Sequence, residues 1–147
     1  MKKITLLLCA ILVTLSSCSD DDDNTNQVLL TESEIPTAIT TYVNTYFADN
    51  TIDRAVKDMD NNTIEYDIYL SGNFTLEFNA DYEIIDIDGV TALPDSVIPP
   101  AILMYVNENY PQQFIKGWEL EMDYQQVELN NNIEIEFTMT GEFIRVD

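Results

Sequence analysis

A stretch of ten residues in this chain recurs 63 positions later. Ile35, Pro36, Ala38, Ile39, Tyr42, Val43 and Asn44 have identical counterparts in Ile98, Pro99, Ala101, Ile102, Tyr105, Val106 and Asn107. An internal repeat limits the fold more than any other feature, because one unit has to be built twice and packed against itself. The same offset pairs Ile52 with Ile115, Met59 with Met122 and Glu65 with Glu128. Further along, the offset becomes 59 and pairs Phe78 with Phe137, Glu83 with Glu142, Ile85 with Ile144 and Asp88 with Asp147. The four missing residues fall near Ser71, Gly72 and Asn73 in the first copy, whereas the second turns at Asn130, Asn131 and Asn132. Hairpin tips tolerate deletion, so the change of offset predicts a hairpin there.

Each copy opens with helical periodicity. Ile35, Ile39, Tyr42, Val43 and Tyr46 share one face, as do Ile98, Ile102, Tyr105, Val106 and Tyr110. Apolar residues at this spacing predict a core-facing helix. Ser33 and Ser96 are expected N-caps, Pro36 and Pro99 are expected in the first turn, and Pro111 ends the second helix. Strict alternation follows at residues 64–70, 74–79, 118–123 and 133–138, with closing strands at 84–88 and 143–147. Period two means one buried face and one wet face. The first strand of copy one is the weakest, because Ala55 and Lys57 stand where copy two has Trp118 and Leu120. The expected class is α+β: two tandem units, each a helix packed on one face of a roughly four-stranded antiparallel sheet.

The composition supports a folded body and removes several chemistries. The chain has 147 residues, 46% of them hydrophobic, too many for a disordered acidic tail. With no His, a His-based triad, general base or metal ligand is excluded. Cys9 and Cys18 both lie near the N-terminus, which leaves no disulfide framework and no CxxC site. A formal charge of −21 makes nucleic acid an improbable partner.

The N-terminus reads as an address. Lys2 and Lys3 precede an apolar run at residues 4–15, shorter than a membrane span. Leu15, Ser16, Ser17 and Cys18 then resemble a bacterial lipobox. That resemblance implies cleavage before Cys18 and lipidation of its sulfur, which anchors the protein to a membrane. Ser19, Asp20, Asp21, Asp22 and Asp23 resemble the surface-export signal of Bacteroidota lipoproteins. The expected organisation is a signal peptide at 1–17, a lipidated acidic tether at 18–29, and units at 30–90 and 91–147. The expected location is the outer membrane, either surface-exposed or facing the periplasm.

The second copy runs Leu93, Pro94, Ile98, Pro99, Tyr105, Asn109, Tyr110, Pro111 and Ile115, and finishes with Glu136, Phe137, Gly141, Val146 and Asp147. This resembles the PepSY-like domain of Bacteroidota, labelled beta-lactamase-inhibitor-like, here in two tandem copies. The first copy is looser, with Phe47 and Ala48 in place of the Tyr-Pro pair and Tyr82 in place of the glycine. The resemblance implies helix-on-sheet units and no established activity. The inhibitor label follows fold similarity and carries no chemistry with it.

The wet face collects acidic residues. The expected partner-binding face comprises Tyr69, Glu77, Glu119, Glu121, Glu134, Glu136, Phe143 and Arg145, with Asp67, Asp86, Asp88 and Tyr124 nearby. Such a face serves solubility on any exposed sheet. It also suits a protein or peptide partner, particularly a basic one, through charge complementarity and aromatic anchors. Carboxylates on an open surface lack the cleft that would raise one pKa for acid–base work, so no enzyme activity and no catalytic residue is expected. Asp58, Asp60 and Asn62 begin like a calcium loop. Thr63 replaces the glycine and Tyr69 the final glutamate, which rejects an EF-hand. A looser calcium site at that turn stays open as the basis of an alternative role, a calcium-dependent structural or adhesion protein. No other cofactor is expected. Asp95, Ser96 and Val97 resemble the short O-glycosylation sequon of Bacteroidota, with Ser96 also read as a helix cap.

Overall fold

The computed structural model describes residues 27–60 and 63–147. Cys18 and the acidic run after it therefore lie outside the described residues. The strands are β1 (Val28–Leu29), β2 (Ile52–Asp60), β3 (Thr63–Leu70), β4 (Phe74–Phe78), β5 (Ile84–Gly89), β6 (Ile115–Leu120), β7 (Tyr124–Leu129), β8 (Glu134–Thr138) and β9 (Phe143–Val146). Helix α1 (Thr37–Tyr46) precedes β2, and α2 (Pro100–Asn109) lies between β5 and β6. The class is α+β. All nine strands form one antiparallel sheet in sequential order β1 to β9. The two copies do not build separate sheets, because β5 pairs directly with β6 and the ladder continues unbroken from one copy into the next.

The register across that joint decides the core. Ala55, Ile68, Leu76, Ile87, Trp118, Val127 and Ile135 are successive cross-strand partners on β2 to β8. All are buried. A slip of one residue would turn a strand's apolar set outward, so one buried face holds every strand in phase. Both helices cover this face. Ile39 and Val43 of α1 and Ile102 and Val106 of α2 are buried in the same core. Tyr42 meets Phe78 edge-on at 5.3 Å, and its repeat counterpart Tyr105 meets Phe137 in the same way at 5.3 Å. Such aromatic pairs add about 0.5–1.5 kcal/mol beyond area burial.

Several local expectations are corrected. Ser33 and Ser96 are not helix caps; each lies inside a short 3-10 turn, Glu32–Glu34 or Asp95–Val97. Thr31 begins the first of these, with its hydroxyl 2.6 Å from Glu34 Oε2 and its backbone N–H donating to the same oxygen at 2.8 Å. Pro36 and Pro99 sit just outside the helices as N-caps, and only Pro100 occupies the first turn of α2. The first strand of copy one is long and well buried at Ala55, because β1 covers its edge and Leu30 N–H donates to Ala55 O at 2.9 Å. Lys57 lays its ammonium 5.9 Å from the centre of the Tyr66 ring. In copy two the larger Trp118 fills the place of Ala55. Its indole N–H donates to buried Gln125 at 3.1 Å, and Gln125 in turn donates to the carbonyls of Thr138 and Met139.

A single core under a single sheet predicts a single unfolding event. Phe137→Ala should cost about 3–5 kcal/mol. In differential scanning calorimetry it should shift one transition for the whole chain. Two separate transitions, only one of them moved, would show that the copies unfold independently.

Candidate functional site

The face away from the helices is built by the same registers. One row runs Asp67, Glu77, Asp86, Glu119, Gln126, Glu136 and Arg145, each the direct partner of the next on β3 to β9. Four carboxylates from both copies therefore stand side by side on adjacent strands. The neighbouring row carries Tyr69, Thr75, Asp88, Gly117, Glu128 and Glu134. A shallow depression of about 200 Å³ opens between the rows, bordered by Asp86, Asp88, Glu119, Glu128 and Glu134. Gly117 makes it possible, since a Cβ there would lie 3.0 Å from Asp88 Oδ1 and 3.3 Å from Glu128 Cβ.

Directly opposed like charges are destabilising, and the carboxylates respond by holding protons. Partial burial pushes Glu77 up to about 7, helped by the charges of Glu65 and Asp67 and by a hydrogen bond with Glu65. Burial likewise pushes Asp86 up to about 7, with Asp88, Glu119 and Glu77 adding to it. Asp67 is raised by burial and by Asp58 and Glu65, against the opposing pull of Arg54. Glu119 is raised by burial and by Glu121, Asp88 and Glu134.

The cations of this face make their close contacts with residues other than Glu77, Asp86 and Glu119. Arg54 lies over the Tyr69 ring at 5.2 Å. Lys116 bonds Glu128 at 2.8 Å and donates to Asn132 at 3.0 Å. Arg145 pairs with Glu136 at 2.5 Å and with Asp147 at 3.4 Å.

Most residues expected on the face are there, but not in equivalent roles. Glu77 and Glu119 belong to the carboxylate row, and Tyr69 and Glu134 to its neighbour. Glu121 follows β6 beside Tyr124, whose hydroxyl is raised by burial and by the nearby Glu121, Glu136 and Glu119. Glu136 is only 6% exposed and is neutralised by Arg145, so it offers little to a partner. Phe143 is a correction. Alternation with Arg145 placed it on the acidic face, yet an irregularity after Glu136 makes Phe143 the partner of Phe137 and turns it toward the helices. There it stacks on Tyr105 at 4.9 Å. Among the described residues, no group of three or more Asp, Glu, Cys or His converges as metal ligands.

The titration has a definite sign. Glu77 and Asp86 hold protons to about 7 when folded and release them near 4 when unfolded. Their contribution to stability is complete below about 4 and is lost as pH rises through about 7. The melting temperature should fall between pH 5 and pH 8. Glu77→Gln with Asp86→Asn should flatten that slope and raise the melting temperature at pH 8. A melting temperature that rises with pH across this range would contradict the account.

Comparison with known proteins agrees with the fold. A family model described as "Putative beta-lactamase-inhibitor-like, PepSY-like" matches twice, at residues 23–86 and 87–145. No curated protein matches the chain. Among solved structures, a "putative calcium-regulated periplasmic protein" from Bacteroides thetaiotaomicron superposes with a TM-score of 0.78 at 23% identity, covering 82% of this chain and 96% of its own. A "putative periplasmic protein of unknown function" from Bacteroides vulgatus gives 0.78 at 25% identity, covering 82% and 98%. A second Bacteroides vulgatus periplasmic protein, from the DUF2874 family, gives 0.77 at 28% identity, covering 86% and 98%. With two matches that together span most of its length, this chain belongs to the PepSY-like, beta-lactamase-inhibitor-like family.

Proposed function

We propose that this protein is a non-catalytic module of the bacterial envelope that engages a basic protein or peptide through the acidic face of its sheet. The observation that carries this reading is the unbroken row Asp67, Glu77, Asp86 and Glu119, joined across the two copies. A partner's lysines and arginines would relieve the repulsion that the row stores when alone. Tyr69 and Tyr124 supply aromatic anchor surface at its borders. Charge complementarity of this kind raises the association rate and makes binding sensitive to salt. In this reading the lipobox-like segment at Cys18 and the acidic run Ser19 to Asp23 place the module on the outer membrane, displayed at the cell surface.

The experiment is affinity capture on the immobilised protein from envelope and secreted extracts, eluted with a salt gradient. The recovered partner is then titrated against the variant Asp67→Asn, Glu77→Gln, Asp86→Asn and Glu119→Gln. Affinity should fall by at least about tenfold, since even one close charge pair carries about 1.5 kcal/mol or more. The salt dependence should flatten as well. Unchanged affinity in the variant would place the binding surface elsewhere.

One observation favours a second reading, calcium dependence. Facing carboxylates that hold protons near neutrality would also gain from a divalent cation, and one protein of the same fold carries the description "putative calcium-regulated periplasmic protein". This reading expects millimolar calcium to raise the melting temperature where equal magnesium does not. Equal shifts, or none, would remove it.

A further inference from the structure

The two copies differ in a cleft beside their helices, distinct from the carboxylate row. In copy one, a cleft of about 490 Å³ opens between α1 and the start of β2. In copy two, the matching positions enclose only about 80 Å³. The linings correspond residue for residue: Leu30, Ile35, Val43 and Ile52 in the first match Leu93, Ile98, Val106 and Ile115 in the second. Three lining positions carry much larger apolar side chains in the second copy, among them buried Trp118 in the place of Ala55. Thr40 and Thr51 line the first cleft where Leu103 and Phe114 line the second. Exposure agrees. Leu93, Ile98 and Ile115 are 4–5% exposed, whereas Leu30, Ile35 and Ile52 remain half-buried.

The internal repeat therefore shows what chemistry fits the open cleft: a leucine-like and an aromatic group, as Leu103 and buried Trp118 supply in the second copy. Its lining includes buried Val43 and Ala55 and, on the solvent side, exposed Glu32 and Asp53. Arg54 also borders it, but its guanidinium lies over the Tyr69 ring. The charge available to an occupant is thus negative, in a chain of formal charge −21. The volume lies within the range of about 300–1,000 Å³ usual for ligand sites. From the filled counterpart and the acidic mouth together, we propose that the cleft of copy one binds a short basic peptide segment, taking up its leucine or aromatic side chain and pairing its cation with Glu32 and Asp53. This site is separate from the acidic sheet face and does not depend on the function proposed for that face.

The test titrates the protein with the peptide Lys-Phe-Leu-Lys amide and follows methyl signals by NMR. Saturable shifts are expected at Leu30, Ile35, Val43 and Ile52, with none at Leu93, Ile98 or Ile115. Thr40→Leu with Thr51→Phe installs the residues that copy two carries, and should weaken binding at least tenfold while raising the melting temperature. If that pair disturbs folding, Thr40→Leu alone serves the same purpose. Glu32→Gln with Asp53→Asn leaves the apolar lining intact and should weaken the peptide severalfold and remove its salt dependence. Absence of saturation up to millimolar peptide would overturn the proposal. So would equal affinity in the filled variant, or a shift at the Thr75 methyl on the acidic face with none in the cleft.

Discussion

Everything in this molecule depends on the ladder between β5 and β6, where the end of one copy pairs with the start of the next. The partnership of Ile87 with Trp118 extends a single apolar row from Ala55 to Ile135. Neither copy alone presents much core: a ten-residue helix over a few strands buries too little to be robust. Joined in phase, they share one hydrophobic layer under two helices. Among the described residues the joint leaves an edge only at β1 and β9, and β1 is just two residues long, a common way to blunt an exposed edge.

The acidic face follows from this joint. Side chains alternate, so registering Ile87 against Trp118 necessarily sets Asp86 against Glu119. The same holds for Asp67 against Glu77 on β3 and β4. Burying the apolar row thus imposes a row of facing carboxylates on the other side. Solubility would be served equally by mixed charges, and the chain does use them at β8 and β9, where Glu136 is buried under Arg145. Leaving the four central carboxylates without such cations is a local departure from that pattern. Such conflicts between stability and local choice are where functional surfaces are expected.

Much of this was legible in the residues. The repeat, both helices and the alternating strands could be read because periodicity and identity are local properties. The acidic face could be read as a set, because alternation assigns each residue to a side. What could not be read was the order of residues along it, since a cross-strand row depends on which strand pairs with which and in what register. Phe143 shows the limit clearly. Period two places it with Arg145, but one irregularity in pairing after Glu136 reverses it toward Tyr105. β1 went unseen because two residues, Val28 and Leu29, carry no period. Ser33 and Ser96 misled because their helices are preceded by 3-10 turns, so the proline positions, rather than the serines, mark where α1 and α2 begin.

The two copies have diverged in opposite directions from one plan. Copy two has invested in packing: Trp118 is buried with its hydrogen-bonded Gln125, and half-buried Leu103 packs against the core. Copy one has Ala55 and Thr40 at the positions of Trp118 and Leu103, and needs β1 to cover the edge of β2. A duplicated unit under selection for stability alone would be expected to close both interiors, because filling a cavity is among the easiest ways to stabilise a protein. The asymmetry is better explained by a division of labour within one cooperative sheet. The buried row common to both copies holds the register, so the first copy keeps an open cleft without losing the shared core. The carboxylate row spans the two and draws on both, Asp67, Glu77 and Asp86 from the first copy and Glu119 from the second.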